Sequence, residues 1–296
     1  MILKLLKNYT LPIAIFIGVI GYKWFIYLDF LTPYLIFTML FLTFSKIDYS
    51  NLKPSWLHLW LIICQLTLST AIFYSLRHTN TMLAQGLTIC FICPTATAAA
   101  VITKKLDGNL EFVASYTLYI NLVVSIFIPL FFPLMEPNSE IEITFIGLFI
   151  QIFRKVFPLL ICPFILAFIL RFLPKINKTI VKYSGIAFYI WAISLTIVIA
   201  EIAKYFIEES HGGTTTILLI IGALFACLIQ FFVGKLIGKK NGETIAAGQS
   251  LGQKNTIFAI WLGNIYFNPI VAVGAGAYVI WQNIFNSIQL HFAQKK

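Results

Sequence analysis

The chain has 296 residues, 59% of them hydrophobic and 11% charged, with a net charge of +10. A soluble domain carries about 25% charge, so the composition excludes an ordinary soluble protein and describes a polytopic membrane protein. The basic excess is no nucleic-acid footprint, because the lysines and arginines cluster between apolar runs as the positive-inside rule requires.

A membrane span needs about 20 apolar residues, and that ruler lays out about ten helices. The first is expected over residues 10–25. It has no small-residue cleavage site after its apolar run, so it reads as a helix and not as a secretory signal. The second, over 30–44, carries Pro33, and the third covers 56–76. The fourth, over 82–103, is interrupted at Cys93-Pro94-Thr95-Ala96-Thr97. The fifth covers 112–134. The sixth, over 156–172, follows an amphipathic stretch ending at Arg154-Lys155 that is expected to lie along the interface. The seventh and eighth cover 184–200 and 214–233. The ninth, over 244–266, contains Gly248-Gln249-Ser250-Leu251-Gly252-Gln253-Lys254-Asn255-Thr256, and the tenth, over 269–292, contains Trp281-Gln282-Asn283.

Loop charges order these spans. With the N-terminus in the cytoplasm, fifteen of the 21 basic residues fall on the inner side, among them Lys4, Lys7, Lys46, Lys104, Lys105, Lys239, Lys240, Lys295 and Lys296. Glu136, Glu140, Glu142, Glu201, Glu208 and Glu209 fall outside. Both termini are then cytoplasmic, in the cell (inner) membrane. The interruptions occur in the fourth and ninth helices, at matching places in two halves of opposite orientation. The expected fold is an all-α membrane protein of two inverted five-helix repeats, with discontinuous helices 4 and 9 crossing near the bilayer midplane.

The polar run of the ninth helix is the costliest feature in the chain. A lysine at the bilayer centre costs about 2.5–3.5 kcal/mol on insertion scales. Such a run survives only against protein or a water-filled cavity. Gly248 and Gly252 are expected to let the helix unwind, and Pro94 to free carbonyls upstream of it. The candidate solute-binding residues are Lys254, Gln253, Asn255, Gln249 and Thr256 from the ninth helix, Thr95 and Thr97 from the fourth, Gln65, Thr117 and Asn283. Thr67, Ser69, Ser115 and Asn286 read as interhelical hydrogen-bond glue. No carboxylate is expected at the depth of Lys254, so that lysine is either neutral or paired with the negative charge of a solute. The five cysteines, with Cys90 and Cys93 in CxxC spacing, read as free buried thiols. The histidines His58, His78, His211 and His291 lack zinc-like spacing, and no cofactor is expected.

These motifs resemble the bile acid:sodium symporter family over essentially the whole chain. Cys93-Pro94-x-x-Thr97 followed by Gly108-Asn109 resembles its fourth-helix crossing motif, and Gly252-Gln253-x-Asn255-Thr256 its ninth-helix motif. Two registers are open at the latter: Lys254 is an asparagine's counterpart, or an insertion. Gln65 stands where the family has a third-helix glutamine, and Trp281-Gln282-Asn283 is similar to a tenth-helix Trp-His-Asn. The resemblance implies a six-helix core, about residues 54–136 and 213–292, moving against a four-helix panel, about 8–46 and 142–207. It also implies transport of organic anions, usually with two sodium ions bound beside the crossing.

The sequence departs from that pattern at the implied sodium ligands. The shared ninth-helix glutamate is Gln249, a serine and an asparagine are Ala99 and Ala100, and a fifth-helix serine is Val113. Gln65, Gln253 and Thr117 remain as ligands if sodium is bound. Two sodium ions with one glutamate leave a single positive charge, which one lysine supplies alone. The expected function is therefore secondary active transport of an organic anion, sodium-independent or proton-coupled, with Lys254 as a built-in cation. The alternatives are a conventional sodium symporter, a cation/proton antiporter, a receptor or passive channel, and an intramembrane enzyme, for which no catalytic set is present. The expected partners are a small organic anion and the lipid bilayer.

Overall fold

The computed structural model of the chain describes residues 2–47, 52–135, 144–209 and 213–293. Glu136, Glu140, Glu142, His211, Lys295 and Lys296 lie outside the described residues, as do the side chains of Lys4, Lys7 and Glu209. Helix α1 (Ile2–Ile20) leads through the short turns Tyr22–Phe25 and Ile26–Leu31 into α2 (Thr32–Phe44). Pro33 sits in the first turn of α2, where its missing N–H has no helical partner to lose. The chain continues through α3 (Trp56–Leu76), α4 (Thr81–Ile92), α5 (Ala99–Lys105) and α6 (Leu110–Met135). Then come α7 (Phe145–Leu170), α8 (Pro174–Tyr183) and α9 (Ala187–Lys204). The last four are α10 (Thr214–Lys239), α11 (Thr244–Gly252), α12 (Thr256–Tyr266) and α13 (Ile270–Ala293). No strand occurs among the described residues.

Six stretches among the described residues are long and apolar enough to cross a membrane: Tyr22–Phe44, Trp56–Leu76, Leu110–Met135, Phe145–Leu170, Pro174–Glu208 and Thr214–Lys239. Thr10–Ile20, Thr81–Ile92 and Thr256–Tyr266 are shorter apolar helices. Large side chains such as Phe16, Trp60, Ile146, Phe225 and Phe232 stand exposed on the outside, which lipid, unlike water, tolerates.

The helices pack in two groups. Helices α1, α2, α7 and α9 contact one another, and α3, α4, α10, α11, α12 and α13 contact one another. The long neighbours α6 and α7 join the groups, and α12 also touches α9 and α2. Small residues permit the closest approaches. A Cβ on Gly252 would lie 2.3 Å from the Phe231 ring, and one on Gly248 2.7 Å from the Lys235 side chain. Both glycines are still helical. Their part is to let α11 press against α10, and the expected unwinding begins only at Gln253.

A second expectation also needs correcting. The stretch ending at Arg154-Lys155 is no separate interfacial segment, because α7 runs unbroken from Phe145. One charged pair does not stop a helix whose flanks are apolar throughout; it only has to face something polar. Helix α8, in contrast, has no buried residue.

Candidate functional site

Two helix interruptions meet at the centre of the second group. Helix α4 stops at Ile92, since Pro94 cannot donate a helical hydrogen bond. Helix α11 stops at Gly252, and Gln253 is extended (φ −98°, ψ 101°). Thr95 and Lys254 then form an antiparallel bridge. The amide of Ala96 donates to the carbonyl of Gln253 at 2.8 Å, and that of Asn255 to the carbonyl of Pro94 at 2.8 Å. The Thr95 hydroxyl adds a 2.6 Å bond to the carbonyl of Ser250. Each unwound segment thus supplies partners that the other lost by leaving the helix, which buried backbone requires.

Side chains satisfy the remaining ends. Gln65 Nε2 donates to the carbonyls of Ile92 and Cys93, each at 3.0 Å, closing the end of α4. Gln65 Oε1 accepts from the Tyr116 hydroxyl at 2.9 Å. The Tyr278 hydroxyl donates to the carbonyl of Gly252 at 2.8 Å. Gln282 pairs with the backbone of Lys254 in both directions, accepting from its amide at 2.9 Å and donating to its carbonyl at 3.3 Å. Asn255 caps α12 by accepting from the Phe258 amide at 3.3 Å. Gln249 Nε2 donates to Asn286 Oδ1 at 2.9 Å.

Lys254 is 1% exposed. Its Nζ has no hydrogen-bond partner, and neither do Gln249 Oε1, Gln253 Oε1, Ser250 Oγ and Asn255 Nδ2. Buried polar atoms are almost always bonded, so five orphans within seven residues make this stretch the candidate site. No disulfide joins any of the five cysteines.

Two cavities lie at opposite ends of α2. The larger, of 820 Å³, is walled by Phe37 of α2, Arg154, Lys155 and Cys162 of α7, Glu201 and Lys204 of α9, and Trp261 and Asn264 of α12. Asp29 lines it too, within hydrogen-bonding reach of Glu201. Asn264 Nδ2 donates to Glu201 Oε2, tying α12 to α9. The smaller cavity, of 270 Å³, is lined by Thr43, Lys46, Thr97, Glu111 and Thr117 among others. Lys254 lines neither of these.

A model described as the SBF-like CPA transporter family matches residues 14–294. The chain belongs to that family. No curated protein matches the chain. As a member of the SBF-like CPA transporter family with several membrane-length apolar helices, it is a multi-pass membrane transporter, and the family is related to the bile acid:sodium symporters.

Within this SBF-like transporter the crossing gathers Lys254, Gln253, Asn255, Gln249, Thr256, Thr95 and Gln65. Thr97 and Thr117 stand apart on the smaller cavity, and the Thr117 hydroxyl bonds back to the carbonyl of Val113 at 2.8 Å. Asn283 is not brought to the crossing. Its Nδ2 donates to Val279 of its own helix at 2.7 Å, and the preceding residue, Gln282, takes the place expected of it. Sequence reasoning underrated Gln282 and Ser250 and missed Tyr278 and Gln230, which donates to the carbonyl of Cys90 at 3.2 Å; Asn286, read as interhelical glue, does bond across to Gln249. A signal existed for Gln230, as an amide inside the apolar run of α10. For the Asp29, Glu201 and Asn264 cluster there was none, because its members come from three distant segments.

Proposed function

We propose that this SBF-like protein is a secondary active transporter of an organic anion, working by alternating access, with Lys254 as a fixed cation where its relatives bind sodium. The observation that carries this reading is the buried amine of Lys254, held without a partner beside two crossed helix breaks. A buried amine without a partner is destabilising whether charged or neutral, so its presence is best explained by use. Of the three side chains that remain as candidate sodium ligands, Gln65, Thr117 and Gln253, only Gln253 keeps an oxygen without a partner. The carbonyls freed at the α4 break are taken by Gln65, Gln65 Oε1 by Tyr116, and the Thr117 hydroxyl is spent on its own helix. Ala99, Ala100 and Val113 carry no oxygen in their side chains.

On this reading ten spans form two inverted repeats, with both termini in the cytoplasm and the larger cavity opening outward. The group containing α3, α4 and α10 to α13 is the core, and the group of α1, α2, α7 and α9 is the panel. Helices α5 and α6 complete the core. Thr97 and Thr117 on one side, and Asn264 with the charged groups of the larger cavity on the other, are where a solute first meets the crossing. Because Lys254 lines neither cavity, it acts from behind the crossing through its field and through the backbone it anchors. A cation/proton antiport reading is favoured by one observation, the carboxyls of Asp29 and Glu201 in the larger cavity.

Uptake of labelled organic acids into proteoliposomes tests these readings under sodium, potassium and proton gradients. Saturable uptake indifferent to sodium and lost in Lys254→Gln is the expected result. Concentrative uptake driven by sodium, with Lys254→Gln tolerated, rejects it. Proton-driven cation exchange without anion uptake replaces it with the antiporter.

A further inference from the structure

Helix α8 belongs to neither packed group. It joins α7 to α9, none of its residues is buried, and it packs chiefly on the chain segments that flank it. Two stripes run along it. Lys175, Lys178 and Lys182 recur at spacings of three and four residues, which share a helix face, and all three are exposed. Ile176, Ile180 and Tyr183 recur at spacings of four and three on another face. Ile176 is 47% and Tyr183 55% exposed. Phe172, Leu173 and Ile186 continue that apolar surface at either end. Between Arg171 and Tyr183 there are four basic residues and no acidic one.

A helix that is apolar on one face, basic on another and joined at both ends to membrane-crossing helices has a specific physical demand. Its apolar face needs acyl chains, and its lysines need phosphate at the level where those chains end. Lysine stems suit this, since they lie along apolar surface while the ammonium reaches outward. Lys182 already lies over the Tyr183 ring at 5.6 Å, at the junction of the two stripes. A second copy of the chain is a poor occupant, because a symmetric contact would set one lysine stripe near another with no acidic residue to receive it. A soluble anion would satisfy the lysines and leave Ile176, Ile180 and Tyr183 uncovered. We propose that α8 is a binding site for anionic phospholipid headgroups, lying flat at the membrane surface with its lysines on the phosphates and its apolar stripe among the upper acyl chains.

The test is native mass spectrometry of the full chain released from nanodiscs of equal phosphatidylcholine and phosphatidylglycerol. Wild type is expected to retain phosphatidylglycerol preferentially. The variant Lys175→Gln, Lys178→Gln, Lys182→Gln is expected to lose that preference several-fold. The control Lys104→Gln, Lys239→Gln, Lys240→Gln removes the same charge elsewhere and is expected to keep it. Ile176→Ser with Ile180→Ser keeps every lysine and is expected to lose retained lipid. No preference in wild type, or an unchanged one in the α8 lysine variant, overturns the proposal. So does equal loss in the control, which would make the effect one of net charge. Retention unchanged in the serine variant also overturns it, by showing that the lysines hold only a phosphate.

Discussion

The hydroxyl of Tyr116 donates to the same Gln65 side chain whose nitrogen closes the end of α4. One amide therefore fixes α6, α3 and the first break together. Both of its polar atoms are used, so the bonds hold one another in place.

Gln65→Leu strands the carbonyls of Ile92 and Cys93 in an apolar surrounding. Each buried unsatisfied group costs about 1–3 kcal/mol, and the apparent unfolding temperature in detergent should fall accordingly. Tyr116→Phe should cost less, because it leaves those two carbonyls capped. The double variant should be clearly less than additive. Additive losses would mean that Tyr116 does not orient Gln65.

Lys254→Met should separate stability from function. It replaces an unpartnered buried amine by an apolar chain of similar length, which relieves about 1–3 kcal/mol. The variant should unfold at a higher temperature than wild type and transport nothing. A variant that is both less stable and inactive would show that the lysine is held by structure.

Gly252→Ala places a methyl group 2.3 Å from the Phe231 ring, which is itself packed on Phe285 at 4.5 Å. Overpacking of this kind costs about 1–3 kcal/mol. Gly185→Ala, with nothing within 4 Å of the added carbon, should change stability by less than about 0.5 kcal/mol. Equal effects in thermal unfolding would show that α11 can move off α10 without loss.

Cys162 is the one exposed cysteine of the five and lines the larger cavity. A water-soluble maleimide should add one label per chain, read by intact mass, and a transported solute should slow the addition. Asn264→Ala removes the donor that ties α12 to α9 and should speed labelling several-fold. Labelling indifferent to both would remove the larger cavity from the solute's path.

The two breaks were legible because proline and a cluster of amides around a lysine are conspicuous in an apolar chain. Gln65 stood out for the same reason. Facing was not legible. Gln282 and Asn283 are adjacent, their side chains point about 100° apart on a helix, and only packing decides which one meets Lys254. Arg154 and Lys155 read as the end of a segment because charge usually marks the interface, whereas here a cavity lets charge sit within α7. Gly248 and Gly252 read as places to unwind, and they proved to be places of close approach, since a missing Cβ serves either purpose.

Helix α12 is eleven residues long, about 16 Å of stiff rod at 1.5 Å per residue. Lys254 lies just ahead of its first turn, and Asn264, near its last, holds Glu201 of α9. The two ends cannot be displaced independently. If Lys254 acts as proposed, a change of charge at the buried amine would be reported at the wall of the larger cavity as a mechanical shift, with no diffusing ion to carry the message. A transporter wired in this way would keep its timing in a medium whose salt content varies.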